Sequence, residues 1–80
     1  MFLKDAIELR IYDLCKKHNI TINKLSTICG ITQSTLANWK VRPKTNISTL
    51  TILRICRGLN ITLDEFFDDD LFKNNDFDDE

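Results

Sequence analysis

Two helix-forming stretches meet at a glycine in the middle of this chain, and this junction restricts the fold more than any other feature. The sequence there is INKLSTICGITQSTLANWKV, residues 22–41, with the glycine at position 30. Glycine adopts positive φ without steric cost, so it suits a sharp turn after a helix. Thr21 and Thr32 each precede a helical run, at the position of an N-cap. The pattern predicts two short helices joined by a tight turn.

The apolar residues of this stretch have the spacing that two short crossing helices need in order to bury a shared interior. They are Leu25, Cys29, Ile31, Leu36 and Trp39. Ser26 is small, where the second helix presses against the first. The alternative interpretation is a helical hairpin inside some other small bundle. A helix-turn-helix of this kind places its second helix in the major groove of DNA.

Helical periodicity continues on both sides of the junction. The five predicted helices span about residues 3–18, 21–29, 32–40, 48–59 and 63–67. Leu3, Ile7, Ile11 and Leu14 form the apolar stripe of the first helix, and His18 ends it. Pro43 interrupts helical structure within the loop 41–47. The fifth helix opens with a capping box in which Thr62 pairs with Glu65. We therefore predict an all-α, compact five-helix bundle.

Length and composition favour one small helical domain, residues 1–67, followed by a tail, residues 68–80. The chain has 80 residues, of which 42% are hydrophobic, with two glycines and one proline. Its first residues are charged, so no signal-peptide core is expected, and no apolar run is long enough to span a bilayer. The three cysteines lack the paired spacing of a zinc site and are interpreted as buried hydrophobes. We expect a cytoplasmic protein without metal or cofactor, and without catalytic activity.

The net charge of −1 conceals a division of charge along the chain. Residues 1–63 hold ten basic and three acidic side chains, a formal charge of +7, whereas residues 64–80 hold nine acidic side chains and one basic one, −8. The acidic segment is predicted to be mostly disordered, with one further helical turn through Leu71 and Phe72. Two roles remain open for this tail. It competes with DNA phosphates for the basic body, or it is a solubilising segment that makes no contact.

A helical wheel of the third predicted helix separates an inward arc from an outward one. Leu36 and Trp39 face inward, which favours core packing of Trp39 over stacking on a base. Glutamine and asparagine bind adenine bidentately, and an alanine methyl can contact a thymine methyl. The predicted base-contacting residues are Gln33, Ser34, Ala37 and Asn38. The alternative for this arc is a solvated helix face. The predicted backbone-contacting residues are Thr21, Lys24, Thr32, Thr35, Lys40, Arg42 and Lys44.

Three blocks of the sequence resemble the Cro/repressor-type family of helix-turn-helix proteins, also described as lambda-repressor-like or Xre-type. The blocks are LCKKHNIT, KLSTICGITQSTLANW and ILRICRGLNITLDEFF, and the resemblance covers about residues 6–67. It implies a compact bundle of about five helices, usually dimeric, that regulates transcription by binding operator DNA. It also implies that Gln33 is a base contact at the start of the recognition helix.

The chain departs from the family pattern in three respects. Ile22 stands where a phosphate-binding glutamine often opens the second helix. Cys15 and Lys40 stand where an arginine and a glutamate often form an ion pair, so both partners are absent together and no buried charge is left unpaired. Ser26 stands at a position of the second helix where the family has a small residue, often alanine.

Two functions compete on the sequence. The first is a sequence-specific DNA-binding regulator, most simply a phage or bacterial repressor, that acts as a homodimer on double-stranded operator DNA. The second is an antitoxin-like or accessory interaction module whose acidic tail binds a protein partner. For the homodimer, the expected interface comprises Leu50, Leu53 and Phe67, although these residues are also compatible with scattered surface leucines and phenylalanines.

Overall fold

The chain folds as a helical bundle in a computed structural model that describes residues 1–32, 34–35, 47–74 and 76–78. These residues contain four α-helices and no named strand. The helices are α1 (Leu3–Lys17), α2 (Ile22–Cys29), α3 (Thr49–Leu59) and α4 (Leu63–Phe67), and a 3-10 helix, η1, follows at Asp70–Phe72. The all-α prediction is confirmed for this part of the chain. The predicted count of five helices is untested, because most of the third predicted helix lies outside the described residues.

Side-chain caps fix three of the helix starts at the predicted positions. The Thr21 hydroxyl accepts a hydrogen bond from the Lys24 amide, and the Ser48 hydroxyl accepts one from Thr51. At α4 the predicted capping box is complete, since the Glu65 amide donates to the Thr62 hydroxyl and the Thr62 amide donates to the Glu65 carboxylate. Each cap satisfies an amide that a helix start leaves without an intrahelical partner.

One three-residue connector ends α1, α2 and α3 in the same way. The connectors are Asn19-Ile20-Thr21, Gly30-Ile31-Thr32 and Asn60-Ile61-Thr62. Their first residues have φ of 56°, 69° and 57°, so each helix ends in the left-handed region. The isoleucine amide then donates to the carbonyl oxygen five residues earlier, at 2.9–3.0 Å. The threonine begins the next helical segment. Each connector therefore forms a compact corner between helical segments, made of a left-handed residue, an apolar residue and a capping hydroxyl.

The core lies where the inner faces of α1, α2, α3 and α4 meet. Its most deeply buried side chains are Ile11, Leu25, Ile55, Cys56 and Phe66. All three cysteines belong to this core, as predicted, and their thiols are free. The predicted stripe of α1 needs one correction. Leu3, the first residue of α1, is 47% exposed, although Lys4 and Ala6 in the same turn are buried.

Arg10 is one of the ten basic residues of the body, residues 1–63, but it does not face solvent. Its guanidinium is buried, and Nε and Nη2 donate to the carbonyl oxygens of Phe66 and Glu65 at 2.7 and 3.0 Å. Nη1 donates to the carboxylates of Asp13 and Asp69 at 3.0 and 3.3 Å. Arg10 thus joins α1 to the carboxyl end of α4. Lys4 is buried as well, so neither side chain adds to a DNA-facing charge.

The acidic tail is packed against the body in the structure, which differs from the predicted mostly disordered segment. The predicted helical turn through Leu71 and Phe72 is present as η1. The Phe72 ring packs against the core cluster. Its centroid lies 5.0 Å from the centroid of the Phe67 ring, in an edge-to-face arrangement. The Asp78 carboxylate pairs with the Met1 amine at 2.8 Å. The composition of the tail did not predict these contacts, because they depend on where a few aromatic and charged residues lie and not on how many there are.

Candidate nucleic-acid interface

The turn after α2 directs the chain toward the predicted recognition helix. Gly30 has φ 69° and ψ 29°, and the amides of Gly30 and Ile31 both donate to the Ser26 carbonyl oxygen. Ile31 turns into the core and is buried. A residue with a Cβ is strained at this φ, whereas glycine is not. The predicted turn is therefore confirmed, and it places Thr32 directly after a fixed corner.

The two described residues of the recognition segment beyond Thr32, Ser34 and Thr35, are helical. The Thr35 amide donates to the carbonyl oxygen of Thr32 at 3.1 Å and to its hydroxyl at 3.3 Å. This is the geometry of a helix that begins at Thr32, as predicted. The Ser34 side chain is exposed and that of Thr35 is half-buried. These exposures agree with the predicted wheel, in which Ser34 faces outward and Thr35 flanks the inward arc.

The amino end of α2 presents the other described part of the interface. Thr21 and Lys24 are exposed there, in the cap and the first turn. Lys24 forms no ion pair with any described residue, so its ammonium group is available to a phosphate. The Thr21 hydroxyl already accepts from the Lys24 amide, but its own hydrogen remains free to donate. Amides at a helix start favour anions, which adds to the attraction of Lys24.

Six of the eleven predicted DNA-contacting residues lie outside the described residues. They are Gln33, Ala37, Asn38, Lys40, Arg42 and Lys44. The inward residues Leu36 and Trp39 lie outside as well. The five described ones, Thr21, Lys24, Thr32, Ser34 and Thr35, lie at the start of α2 or directly after the Gly30 turn, all at solvent-accessible positions.

Gly58 allows close packing between α3 and the last turn of α2, a role that was not predicted from the sequence. A Cβ built on Gly58 would lie 2.5 Å from the Sγ of Cys29 and 3.0 Å from the Cγ2 of Ile28. The missing side chain therefore lets α3 approach the last turn of α2, just before Gly30. Gly58 lies inside a predicted helix, where glycine lowers helix stability by about 1 kcal/mol relative to alanine. A glycine at such a position indicates that packing requires it, so the sequence contained a sign of this contact.

The three cysteine thiols next to this interface have low reactivity, because they stay protonated. Burial raises the pKa of Cys15, Cys29 and Cys56, so each stays a neutral thiol at neutral pH. For Cys29 the neighbouring Cys15 and Cys56 add to the rise of the pKa. Within the described ranges, no three His, Cys, Asp or Glu side chains are arranged to hold a metal ion. Over the same residues, none of the helices has both the length and the apolar character needed to cross a membrane.

The residues predicted to form a dimer interface lie outside the core. Leu50 is 53% exposed and Phe67 is 37% exposed, whereas Leu53 is half-buried. Leu50 and Leu53 lie on α3 and Phe67 lies on α4. The structure therefore places all three at positions where apolar surface remains accessible.

Comparison with known proteins agrees with this geometry. Residues 10–70 match the family described as the Cro/C1-type HTH DNA-binding domain. The chain is also similar to a Bacillus subtilis (strain 168) protein described as the SPbeta prophage-derived uncharacterized HTH-type transcriptional regulator YopS. The two are 34% identical over 58 residues, which cover 72% of this chain and 78% of the relative. No solved structure shows a significant match to the chain.

Proposed function

This chain belongs to the family of Cro/C1-type HTH DNA-binding domains, and we propose that it is a sequence-specific transcriptional regulator that reads operator DNA in the major groove. The observation that carries this proposal is the corner from α2 through Gly30 to Thr32. It starts a helix whose first described outward side chain, Ser34, is exposed. A helix presented by such a corner fits the width of the major groove.

In this proposal, base reading and backbone contact fall to different residues. Gln33 and Asn38 read adenine edges bidentately, with Ser34 and Ala37 beside them. Lys24 and Thr21 hold phosphate at the start of α2, and Lys40, Arg42 and Lys44 hold it after the recognition helix. Thr32 and Thr35 contribute further backbone contacts. Lys24, which is exposed and forms no ion pair with a described residue, supports the phosphate-binding part of this assignment.

The mode of regulation that we propose is repression by a homodimer. One recognition helix offers few base contacts, and two-fold pairing doubles them at a spacing of about 34 Å. A bound dimer excludes other proteins from the DNA that it covers, without needing an additional surface. The similarity to a protein described as a prophage-derived transcriptional regulator supports a regulatory role. The packed tail gives the regulator more support than a partner-binding module, because Asp69, Phe72 and Asp78 already contact the body.

Two substitutions test the division between base reading and backbone contact. Gln33→Ala removes one bidentate pair, so it should cost about 1–3 kcal/mol of discrimination at one base pair of each half-site. Lys44→Ala should weaken binding to all sequences alike and reduce the salt slope by about 1. Fluorescence anisotropy on the operator and on duplexes with single base-pair changes measures both. Unchanged discrimination by Gln33→Ala would show that this residue does not read a base.

A further inference from the structure

A cavity of about 520 Å³ opens on the surface between the last turns of α1 and the start of α2. The described residues that line it are Tyr12, Asp13, Cys15, Lys16, Ile20 and Ile22. Two of them, Cys15 and Ile22, depart from the family pattern. The cysteine leaves open a space that a long arginine side chain would occupy, and the isoleucine makes the lining apolar where a glutamine would make it polar. Both departures therefore shape one cavity, for which DNA binding gives no reason.

The more buried part of the cavity lining is apolar and held in place. Cys15 is buried, and the half-buried Ile20 and Ile22 pack against the core. The Ile20 amide donates to the Cys15 carbonyl oxygen at 3.0 Å, which fixes the corner between α1 and α2. Burial raises the pKa of the Cys15 thiol, so the thiol stays neutral and behaves as a small apolar group. With the aromatic side chain of half-buried Tyr12, this lining suits a flat apolar body.

The charged residues at the cavity leave one cation available to a ligand. The Asp13 carboxylate accepts from Arg10 Nη1 at 3.0 Å and lies 3.3 Å from Lys17 Nζ, and Arg10 also pairs with Asp69 at 3.3 Å. Lys16 is exposed and forms no ion pair with any described residue. Three cations thus face two carboxylates, so one positive charge remains, at Lys16. The complementary ligand group is an anion that accepts hydrogen bonds, such as a carboxylate.

We propose that this cavity is an effector site for a small aromatic carboxylate. The ring system lies against Cys15, Ile20 and Ile22, and the carboxylate meets the Lys16 ammonium group. The volume of the cavity is in the range of sites that hold small organic molecules. Apolar lining, one unsatisfied cation and a concave shape are together what such a ligand requires.

Occupation of the cavity should weaken DNA binding. Ile22 lies between Thr21 and Lys24 in the chain, so a ligand against it is within about one helical turn, ~5.4 Å, of both proposed phosphate contacts. A carboxylate at that distance neutralises Lys16 and repels a phosphate, and salt screens charges fully only beyond about 8 Å at physiological ionic strength. This effect on DNA rests on the proposed function, whereas the site itself rests on the cavity.

Titration of the full, isotope-labelled chain with 2-naphthoate tests the site by NMR. We expect saturable amide shifts in residues 12–22 and none along α3. The dissociation constant should be about 1 mM or below, as ligand efficiency gives for a compound of this size. The amide 2-naphthamide has the same rings without the charge, so it should bind at least about 3-fold more weakly.

Three variants test the role of each part of the lining. Lys16→Met should abolish the preference for the acid over the amide. Ile22→Gln should weaken both compounds by at least about 3-fold, because it removes apolar contact. Arg54→Met is the matched control, since it removes an exposed charge from α3, and it should change neither affinity. Circular dichroism melts check that each variant is folded.

The outcomes separate this inference from the proposed function. Equal affinity of the wild-type protein for acid and amide, shifts spread over α3 and α4, or no saturable shift would overturn the site. Shifts of residues 12–22 on dilution of the protein alone would assign the cavity to a second copy and overturn it as well.

Fluorescence anisotropy measures the effect on DNA at constant ionic strength, with sodium acetate as the salt control. Saturating 2-naphthoate should lower the affinity for non-specific duplex at least about 3-fold, and by reciprocity duplex should weaken 2-naphthoate binding equally. Undiminished affinity would overturn the effector role. A protein that binds 2-naphthoate in this cavity but binds no duplex would support the site and overturn the proposed function.

Discussion

At the scale of single residues, Arg10 shows how one buried charge organises two ends of the chain. Its four hydrogen bonds satisfy two carbonyl groups at the end of α4 and two carboxylates, Asp13 on α1 and Asp69 in the tail. No side-chain nitrogen or oxygen that is buried in the described residues lacks a partner. The guanidinium is suited to this task because its planar fork presents five donors in fixed directions.

We predict that Arg10→Met destabilises the protein by about 3–5 kcal/mol, because breaking a buried ion pair leaves its partners desolvated and unpaired. Arg10→Lys should recover only part of the loss, since one ammonium group cannot reach all four acceptors. Urea denaturation measures the free energy of unfolding. Lys17→Met is the matched control, because Lys17 also pairs with Asp13, at 3.3 Å, but is exposed, and the expected cost is at most about 1 kcal/mol. Equal losses in the two variants would contradict the anchoring role of Arg10.

The sequence predicted the roles of capping residues better than the role of Arg10. Thr21 and Thr62 act on amides three residues away, so local sequence determines them. Arg10 acts on residues more than 50 positions away, which no local pattern reveals. A partial signal existed, because Arg10 lies between Ile7 and Leu14 on the buried side of α1. A charged residue at such a position indicates a buried partner.

At the scale of helices, Gly58 sets how closely α3 approaches α2. We predict that Gly58→Ala lowers the free energy of unfolding by about 1 kcal/mol. The methyl group would overlap the Sγ of Cys29, and overpacking of this kind costs about 1–3 kcal/mol, more than the gain in helix propensity of about 1 kcal/mol.

A double-mutant cycle with Cys29→Ala tests this explanation of Gly58. Removing the Sγ leaves the closest remaining contact at 3.0 Å, to Ile28, so Gly58→Ala should cost less in the Cys29→Ala background. We expect a coupling of at least about 0.5 kcal/mol. Additive losses would mean that the two helices adjust without a clash at this position, and that the account of their spacing is wrong.

The boundaries of the four described α-helices were predictable to within a residue, whereas the arrangement of the helices was not. Caps such as Thr62 are short-range signals, and the structure has this cap where the sequence indicated. The close contact between Gly58 and Cys29 depends on tertiary packing. Of the candidate interface, the sequence identified Lys24, Thr32 and Ser34 as exposed residues at helix starts, because helical periodicity sets which side faces out.

At the scale of the whole molecule, the packed tail changes what its acidic charge is expected to do. Asp69 pairs with Arg10, Asp78 with the Met1 amine and Asp68 with Lys73. These contacts join the tail to α1, to the amine of Met1 and to another part of the tail itself. A tail held there is less able to range over the basic residues around the recognition helix than the free tail of the competition hypothesis. Its main contribution is then to pack Phe72 against the core and the edge of Phe67, and to complete the surroundings of Arg10.

A chain truncated after Phe67 distinguishes these two roles of the tail. We predict that truncation lowers the free energy of unfolding by about 2 kcal/mol, mainly through the lost packing of Phe72. At an ionic strength of 0.15 M, where charges are screened beyond about 8 Å, affinity for non-specific duplex should change less than about 2-fold. Titration at several salt concentrations measures this affinity. A gain that is large at low salt and persists at 0.15 M would instead favour direct competition with phosphates.

The proposed function holds that two copies of this chain read DNA through the helix that follows Gly30. Selection of bound sites from random duplexes tests this claim. A two-fold dimer should enrich one motif with two-fold symmetry, whose half-sites are centred about 34 Å, or 10–10.5 base pairs, apart. The same selection with Gln33→Ala should lose preference at one base pair of each half-site. Recovery of no enriched motif by the wild-type protein, at a salt concentration where it binds duplex, would contradict the claim.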